Sequence, residues 1–207
     1  YAYTMAAFEG AALVEPMTGR VKWLADCHGD SYSAAASNKL VYVASHEHNC
    51  ENIGSFGQVD NVFHRATAFT YDATSTVKAN RRTGYSSFAG NPAPAQVTWF
   101  PELAPGTYTG QSQAAWSVEA TDDYVVFGGE FPSVNGTAQQ GLVRFAVPGK
   151  APKKQGPLFG AAEMTPTAVV NGNIATLRWK TSHDRDNEAL DYEVYRDDDK
   201  SRPIATV

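Results

Sequence analysis

The chain has 207 residues, 43% of them hydrophobic and 19% charged, which is enough apolar surface for one or two ordinary domains and too much for a disordered tail. Its 17 Lys and Arg against 22 Asp and Glu leave a formal charge of -5, with no basic run to neutralise phosphate backbones or acidic lipid, so nucleic acid is excluded as an expected partner. No apolar run approaches the ~20 residues that span a bilayer, and the opening YAYTMAAFEG lacks the basic and apolar regions of a signal peptide, so any such signal is expected upstream of Tyr1.

Strands dominate the reading. Short β-prone runs are bounded by Gly, Pro and polar turn residues, and no apolar pattern of period 3.6 is sustained. From the start of the chain, Ala12 to Lys22 (ALVEPMTGRVK) reads as strand, turn and strand. It aligns without gaps on Ala68 to Lys78 (AFTYDATSTVK), where Thr18, Val21 and Lys22 recur as Thr74, Val77 and Lys78. Next, Tyr32 to His46 (YSAAASNKLVYVASH) reads as a hairpin around Ser37-Asn38-Lys39. It aligns on Trp116 to Glu130 (WSVEATDDYVVFGGE), whose turn is Thr121-Asp122-Asp123. Gly141 to Val147 (GLVRFAV) starts a third copy. The repeating unit is a four-stranded antiparallel sheet that cannot bury both faces alone, and radial stacking as a β-propeller satisfies it. A β-sandwich with accidental internal similarity is the alternative.

The run Tyr124 to Ala146 (YVVFGGEFPSVNGTAQQGLVRFA) resembles the blade signature of the delta-60 repeat β-propellers of bacteria: a strand ending in Gly-Gly-x-Phe, a Val-Asn-Gly turn, and a strand ending near Arg-Phe. The likeness is looser over Leu40 to Phe69, where Ala44-Ser45-His46 replaces Gly-Gly-Glu and Cys50 to Phe63 is an inserted loop. What the resemblance implies is a propeller blade in a surface or secreted protein, with no catalytic residues to carry over.

After Val147 the composition changes. PGKAPKKQGP reads as an exposed linker, and strands are then expected over Thr167 to Val170, Ile174 to Trp179 and Asp191 to Tyr195, the first two joined at Asn171-Gly172. This part looks like the first half of a fibronectin type III-like β-sandwich, with Trp179 on its second strand and Tyr192, Val194 and Tyr195 on its third; a stray hairpin is the alternative. The expected all-β organisation is therefore a partial propeller over 1–147, a linker over 148–160 and an incomplete fibronectin-like domain over 161–207. The propeller part holds the outer strands of one blade, one nearly complete blade and the inner strands of the next. The chain reads as a fragment of a larger protein.

Two cysteines, Cys27 and Cys50, fall opposite each other if the Asn38-Lys39 turn sets the register, because every opposed pair then sums to 77. That spacing suits a disulfide and an oxidising compartment; two buried free thiols are the alternative. CHGD at 27–30 and SHEHNC at 45–50 gather His28, Asp30, His46, Glu47 and His48, a set with metal-binding chemistry. The same register puts His46 and His48 on one face and His28, Asp30 and Glu47 on the other, so no metal is expected unless a bulge near Gly29 intervenes. Asp184, Asp186 and Glu188 alternate like calcium ligands but lack the glycine and frame of an EF-hand, and Asn135 to Thr137 is formally a glycosylation sequon in a turn.

No nucleophile elbow, zinc-protease helix or phosphate loop occurs. The insertion Ala79 to Ser112 carries Tyr85, Phe88, Trp99, Phe100 and Tyr108 among Gly and Pro. Trp99, Phe100 and Tyr108 are the expected ligand contacts at the propeller rim, the alternative being that Trp99 and Phe100 cover an apolar edge. The expectation is a non-enzymatic, secreted or cell-surface protein that takes a protein or glycan ligand, needs no cofactor, and pairs with missing parts of its own chain. The alternative is a secreted hydrolase with catalytic residues mostly outside these strands, for which Asp30, Glu47 and Glu130 are candidates by position only.

Overall fold

The structure is a computed structural model that describes residues 2–4 (backbone), 9–152, 156–184, 187, 189–197 and 199–207. Asp186 and Glu188, two of the three alternating acids, lie outside the described residues. The fold is all-β: its ordered elements are antiparallel strands and two short 3₁₀ turns, at Glu51–Ile53 and Pro148–Lys150. It divides into two compact units, Tyr1–Phe145 and Ala146–Val207.

In the first unit β1 (Ala2–Thr4), β2 (Gly10–Val14) and β3 (Val21–Asp26) form one meander. A second, four-stranded meander consists of β4 (Ser31–Ala36), β5 (Leu40–Glu47), β6 (His64–Thr76) and β7 (Pro92–Gln96). β8 (Ala115–Ala120) and β9 (Tyr124–Gly129) are followed by a small ribbon of β10 (Ser133–Val134) and β11 (Thr137–Ala138). The chain then returns as β12 (Leu142–Ala146) to pair with β9, giving a third sheet in the order β12-β9-β8.

Alternation along β5 explains how these sheets stack. Val41 and Val43 point into a core shared with Leu13 and Trp23, and Tyr42 and Ala44 point into another shared with Val118, Val125 and Phe127. On β6, Phe69 belongs to the first core and Ala66 and Ala68 to the second. The central sheet is thus apolar on both faces and lies between its two neighbours, which explains why LVYVA is a nearly continuous apolar run rather than an alternating one.

The hairpin repeat is exact in register. Ser33 to Ala36 pair with Ala44 to Val41, and Ser117 to Ala120 pair with Gly128 to Val125, with a bulge at the same point in each, before Ser33 and before Ser117. The turns match too. Ser37 Oγ accepts from the Leu40 amide at 3.0 Å, and Thr121 Oγ1 accepts from the Tyr124 amide at 3.1 Å. One turn holds the other: the Asn38 amide and side-chain NH₂ donate to the two carboxylate oxygens of Asp122 at 2.9 and 3.0 Å, across 84 residues.

The other internal match holds only in part. β2 turns at residues 15–20 and re-enters the sheet at Val21, which is exposed, whereas β6 runs on to Thr76 and Val77 leaves it for a long loop while staying buried. The insertion over 77–91 stands where the earlier sheet makes a tight turn, so Val21-Lys22 and Val77-Lys78 are not equivalent places.

In the second unit β13 (Thr167–Asn171) pairs with β14 (Ile174–Arg178), and β15 (Glu193–Val194) with β16 (Ala205–Thr206). Asn171 pairs with Ile174, so the turn sits at Gly172-Asn173, one residue later than expected, with Gly172 at φ 59° supplying the left-handed conformation. Trp179 follows β14 and packs on Tyr192 at 5.8 Å between ring centres.

Candidate functional site

The open end of hairpin β4–β5, away from its turn, collects the polar and aromatic side chains of the first unit. Two bulges build it. The first, before Ser33, shifts the pairing so that Ser31 meets Ser45 and the His46 amide donates to the Asp30 carbonyl at 2.9 Å. The second lies at Gly29 and restores the original register, with His28 bridging Asn49 and Cys27 opposite Cys50. Gly29 has φ 118°, and a Cβ there would sit 2.5 Å from the His46 carbonyl oxygen, so any other residue would clash with backbone.

Cys27 and Cys50 are joined, S–S 2.07 Å, with Cα atoms 4.2 Å apart. The register argument places this pair rightly, but its assignment of His28 and Asp30 to the face opposite His46 and His48 is overturned. The bulges rotate intervening residues, and the side chains meet. His46 Nε2 lies 3.9 Å from Asp30 Oδ2. The rings of His46 and His48 are nearly parallel at 6.5 Å, and those of His48 and His28 are 6.3 Å apart. Phe63 stands edge-on to His46 and His48, at 5.8 and 6.0 Å.

His28 is fully enclosed. Its ring stacks flat on Tyr85 at 3.7 Å, and Asn52 Nδ2, which donates to buried Asp26 at 2.9 Å, approaches its Nε2 at 3.5 Å. Burial, with His48 and Arg82 nearby, lowers the His28 pKa to about 4, so this ring is neutral. His46 is also pushed down by burial, Asp30 pulling it back part-way. The Asp30 amide donates to its Nε2 at 3.3 Å, which puts the ring proton on Nδ1, facing the Tyr32 hydroxyl at 2.7 Å. Tyr32 itself is raised to about 12 by burial and then by the Asp30 carboxylate. A phenol so held is a poor nucleophile and no base.

Glu47 remains on the other face, fully buried behind the disulfide. Its Oε2 accepts from Gln96 at 3.4 Å and lies 3.9 Å from Cys50 Sγ, a sulfur that carries no proton once bonded. No hydrogen-bond partner reaches Oε1. Burial raises the carboxyl to about 8, with Thr67 moderating the shift, so it is a neutral acid at neutral pH. Among the described residues, Cys27, Glu47 and Cys50 are the only His, Cys, Asp or Glu trio whose ligand atoms converge within 4.8 Å. Two of those atoms are bonded to each other, so the trio offers no thiolates, and the three histidines do not converge on one point.

The aromatic insertion splits in two. Trp99 wedges between Tyr42, Phe127 and Phe145, ring centres at 5.6, 6.1 and 5.2 Å, and Phe100 packs on His64 and Phe56. Trp99 thus covers the apolar edge of the second core, whereas Phe100 sits against Phe56, which packs on the first. Tyr108 is 95% exposed. Its loop is tied by Glu130, whose carboxylate accepts from the Thr109 amide and hydroxyl at 2.8 and 2.6 Å and from the Trp116 indole at 3.2 Å, and which is held below the ordinary carboxylate range by those bonds. Sequence reasoning missed Asn52, Lys78, Arg81 and Arg82, which surround the entrance beside His28. The run Lys78-Ala79-Asn80-Arg81-Arg82 was the signal for three of them.

No protein-family profile, curated protein or solved structure matches this chain.

Proposed function

We propose that the chain belongs to a non-enzymatic scaffold of the cell surface or extracellular space, whose first unit consists of consecutive β-propeller blades of the delta-60 kind and whose second is a fibronectin type III-like module. On this reading the loops at the open ends of the hairpins bind a protein or glycan. The repeat-equivalent bond from Asn38 to Asp122 carries the proposal. Two hairpins 84 residues apart are laid side by side with the same turn, register and bulge, as successive blades in a radial array require. The buried disulfide supports an oxidising compartment.

The hydrolase reading finds little in the site. Asp30, His46 and Tyr32 form the one acid–imidazole–hydroxyl line there, and its hydroxyl is held away from ionisation. Glu47 is sealed from solvent, and Glu130 is engaged in holding a loop. The test is a glycan and surface-protein binding array run beside a panel of polysaccharide and peptide hydrolysis assays on the same preparation. Binding without turnover, weakened by Tyr108→Ala, is expected. Turnover that disappears in His46→Ala would overturn the reading.

A further inference from the structure

We infer that the cleft beside the histidine cluster is a binding site for a sulfate- or carboxylate-bearing sugar. The inference rests on the reading of the chain as a ligand-binding scaffold and narrows its ligand to an anionic glycan. The cleft has a volume of about 400 Å³ and is lined by Lys78, Arg81 and Arg82 from the insertion and by Asn49, Glu51 and Asn52 from the turn after the disulfide. That size suits a short oligosaccharide.

Its charge is out of keeping with the chain. The whole sequence is formally -5, yet here three cations face one carboxylate. Arg82 is engaged, 3.5 Å from Glu51 and donating to Gln58 at 2.9 Å. Lys78 and Arg81 have no acidic partner among the described residues, so two exposed positive charges are left without a counter-ion from the protein. Guanidinium and ammonium groups placed together in this way suit sulfate and carboxylate oxygens.

The cations are also held in place before any ligand arrives. Asn80, between them, ties the loop into a knot: its NH₂ donates to the carbonyls of Arg82 and Tyr85, both at 2.9 Å, while its Oδ1 accepts from the Arg82 amide at 3.0 Å. The Lys78 amide donates to the Asn52 carbonyl at 2.7 Å, fixing the opposite wall. Tyr85, at the end of the knot, is the ring stacked on His28. A preorganised loop loses little entropy on binding. Asn49 and Asn52 hold the wall opposite the cations: Asn49 bonds to Glu51 through both its NH₂ and its Oδ1, and the Asn52 NH₂ donates to Asp26, while the volume of the cleft exceeds what a bare inorganic anion needs.

The experiment is calorimetric titration of the intact chain with a sulfated hexasaccharide, a neutral hexasaccharide of the same linkage, and inorganic sulfate. The sulfated sugar is expected to bind more tightly than either control and to weaken as salt rises. Lys78→Gln with Arg81→Gln is expected to lose at least about tenfold in affinity while melting like the parent, since neither side chain holds a partner in the fold. Arg144→Gln, whose guanidinium lies over Tyr124 away from the cleft, is expected to bind unchanged. Equal affinity for neutral and sulfated sugars, unimpaired by the double substitution, would overturn the anionic site and leave the scaffold reading standing. Sulfate binding as tightly as the sulfated sugar would overturn the glycan assignment.

Discussion

Hairpins β4–β5 and β8–β9 are the same object until their last few residues, and the divergence there is the informative part. Both carry a four-residue turn closed by a hydroxyl, both bulge at one aromatic residue, Tyr32 or Trp116, and in both that aromatic bonds to the equivalent residue near the end of the second strand, His46 or Glu130. Tyr32 and Trp116 even pack on each other at 4.6 Å. Beyond that point the second hairpin uses Glu130 to tie down the Tyr108 loop, whereas the first adds a second bulge at Gly29, a disulfide and three histidines. The strands that stack are conserved within the chain, and the ends, which carry no stacking duty, have been free to differ. A binding role is best sought at those ends.

The sharpest contrast lies at Glu47. Its counterpart one repeat later, 84 residues on, is Phe131, a buried residue of the second core, so an acid occupies a place that the other hairpin fills with hydrocarbon. With a folded-state pKa near 8 against about 4.5 for the ordinary side chain, the native protein keeps this proton through a range in which the unfolded chain releases it. Stability therefore falls as pH rises from 4.5 to 8, and the loss is complete above 8. Glu47→Gln should erase that slope, gaining about 5 kcal/mol at pH 9 and nearly nothing at pH 4 in urea unfolding. Parallel stability–pH curves for the two proteins would refute the assignment. His28 acts in the opposite direction: its folded value near 4 means that stability drops as pH falls from 6.5 to 4.

The second bulge is the next place to press. Gly29→Ala forces a Cβ onto the His46 carbonyl in a left-handed backbone, and a loss of about 3 kcal/mol is expected from chemical denaturation. Gln113, at the equivalent position of the hairpin without that bulge, should tolerate Ala at a cost under about 1 kcal/mol. Equal costs at both sites would mean that the bulge is not what separates the two ends.

These residues also show where the sequence was readable. The register from Ala36 back to Ser33 follows from the two-residue turn at Asn38-Lys39, and the Cys27–Cys50 pairing follows from the same count because two opposite shifts cancel between them. In between, the count is wrong by one at Ser31, which meets Ser45, and Asp30 turns to the His46 side with it; at His28 the count is right again, yet its ring still lies 6.3 Å from that of His48. Bulges change which side a residue faces without changing strand propensity, so period-2 reasoning does not register them. Gly29 and the recurring aromatics Tyr32 and Trp116 were the visible marks. The cationic cleft needs the loop knot at Asn80 to bring distant segments together, and no periodicity announces that.

Trp99 and Tyr108 make a smaller test of the same contrast between stacked strands and free ends. Sequence alone groups them as rim aromatics, with covering of an apolar edge as the alternative for Trp99, and the packing of Trp99 against Tyr42, Phe127 and Phe145 is that alternative. Trp99→Ala should lower stability by about 2 kcal/mol, less than for a fully buried ring because the side chain is only partly buried. Tyr108→Ala should leave the melting temperature unchanged. A Trp99 variant that melts like the parent would return this residue to the surface.

The smallest effect concerns the link between the hairpins themselves. Asp122 accepts two hydrogen bonds from Asn38, one from its backbone and one from its side chain, at an exposed turn, where water competes for every donor and acceptor. Asp122→Ala removes both, and about 1 kcal/mol is the expected loss; Asn38→Ala removes only the side-chain bond and should lose about half as much. The double variant should then lose little more than Asp122→Ala alone, because the two side chains act through one contact, and a double-mutant cycle in urea measures that coupling. Strict additivity would mean that the turns merely lie near each other, and that the alignment of the two hairpins is set by the core between them, by Tyr42 and Ala44 against Val118 and Phe127. Coupling would show instead that the repeat is tied together at its exposed edge as well as through its apolar faces.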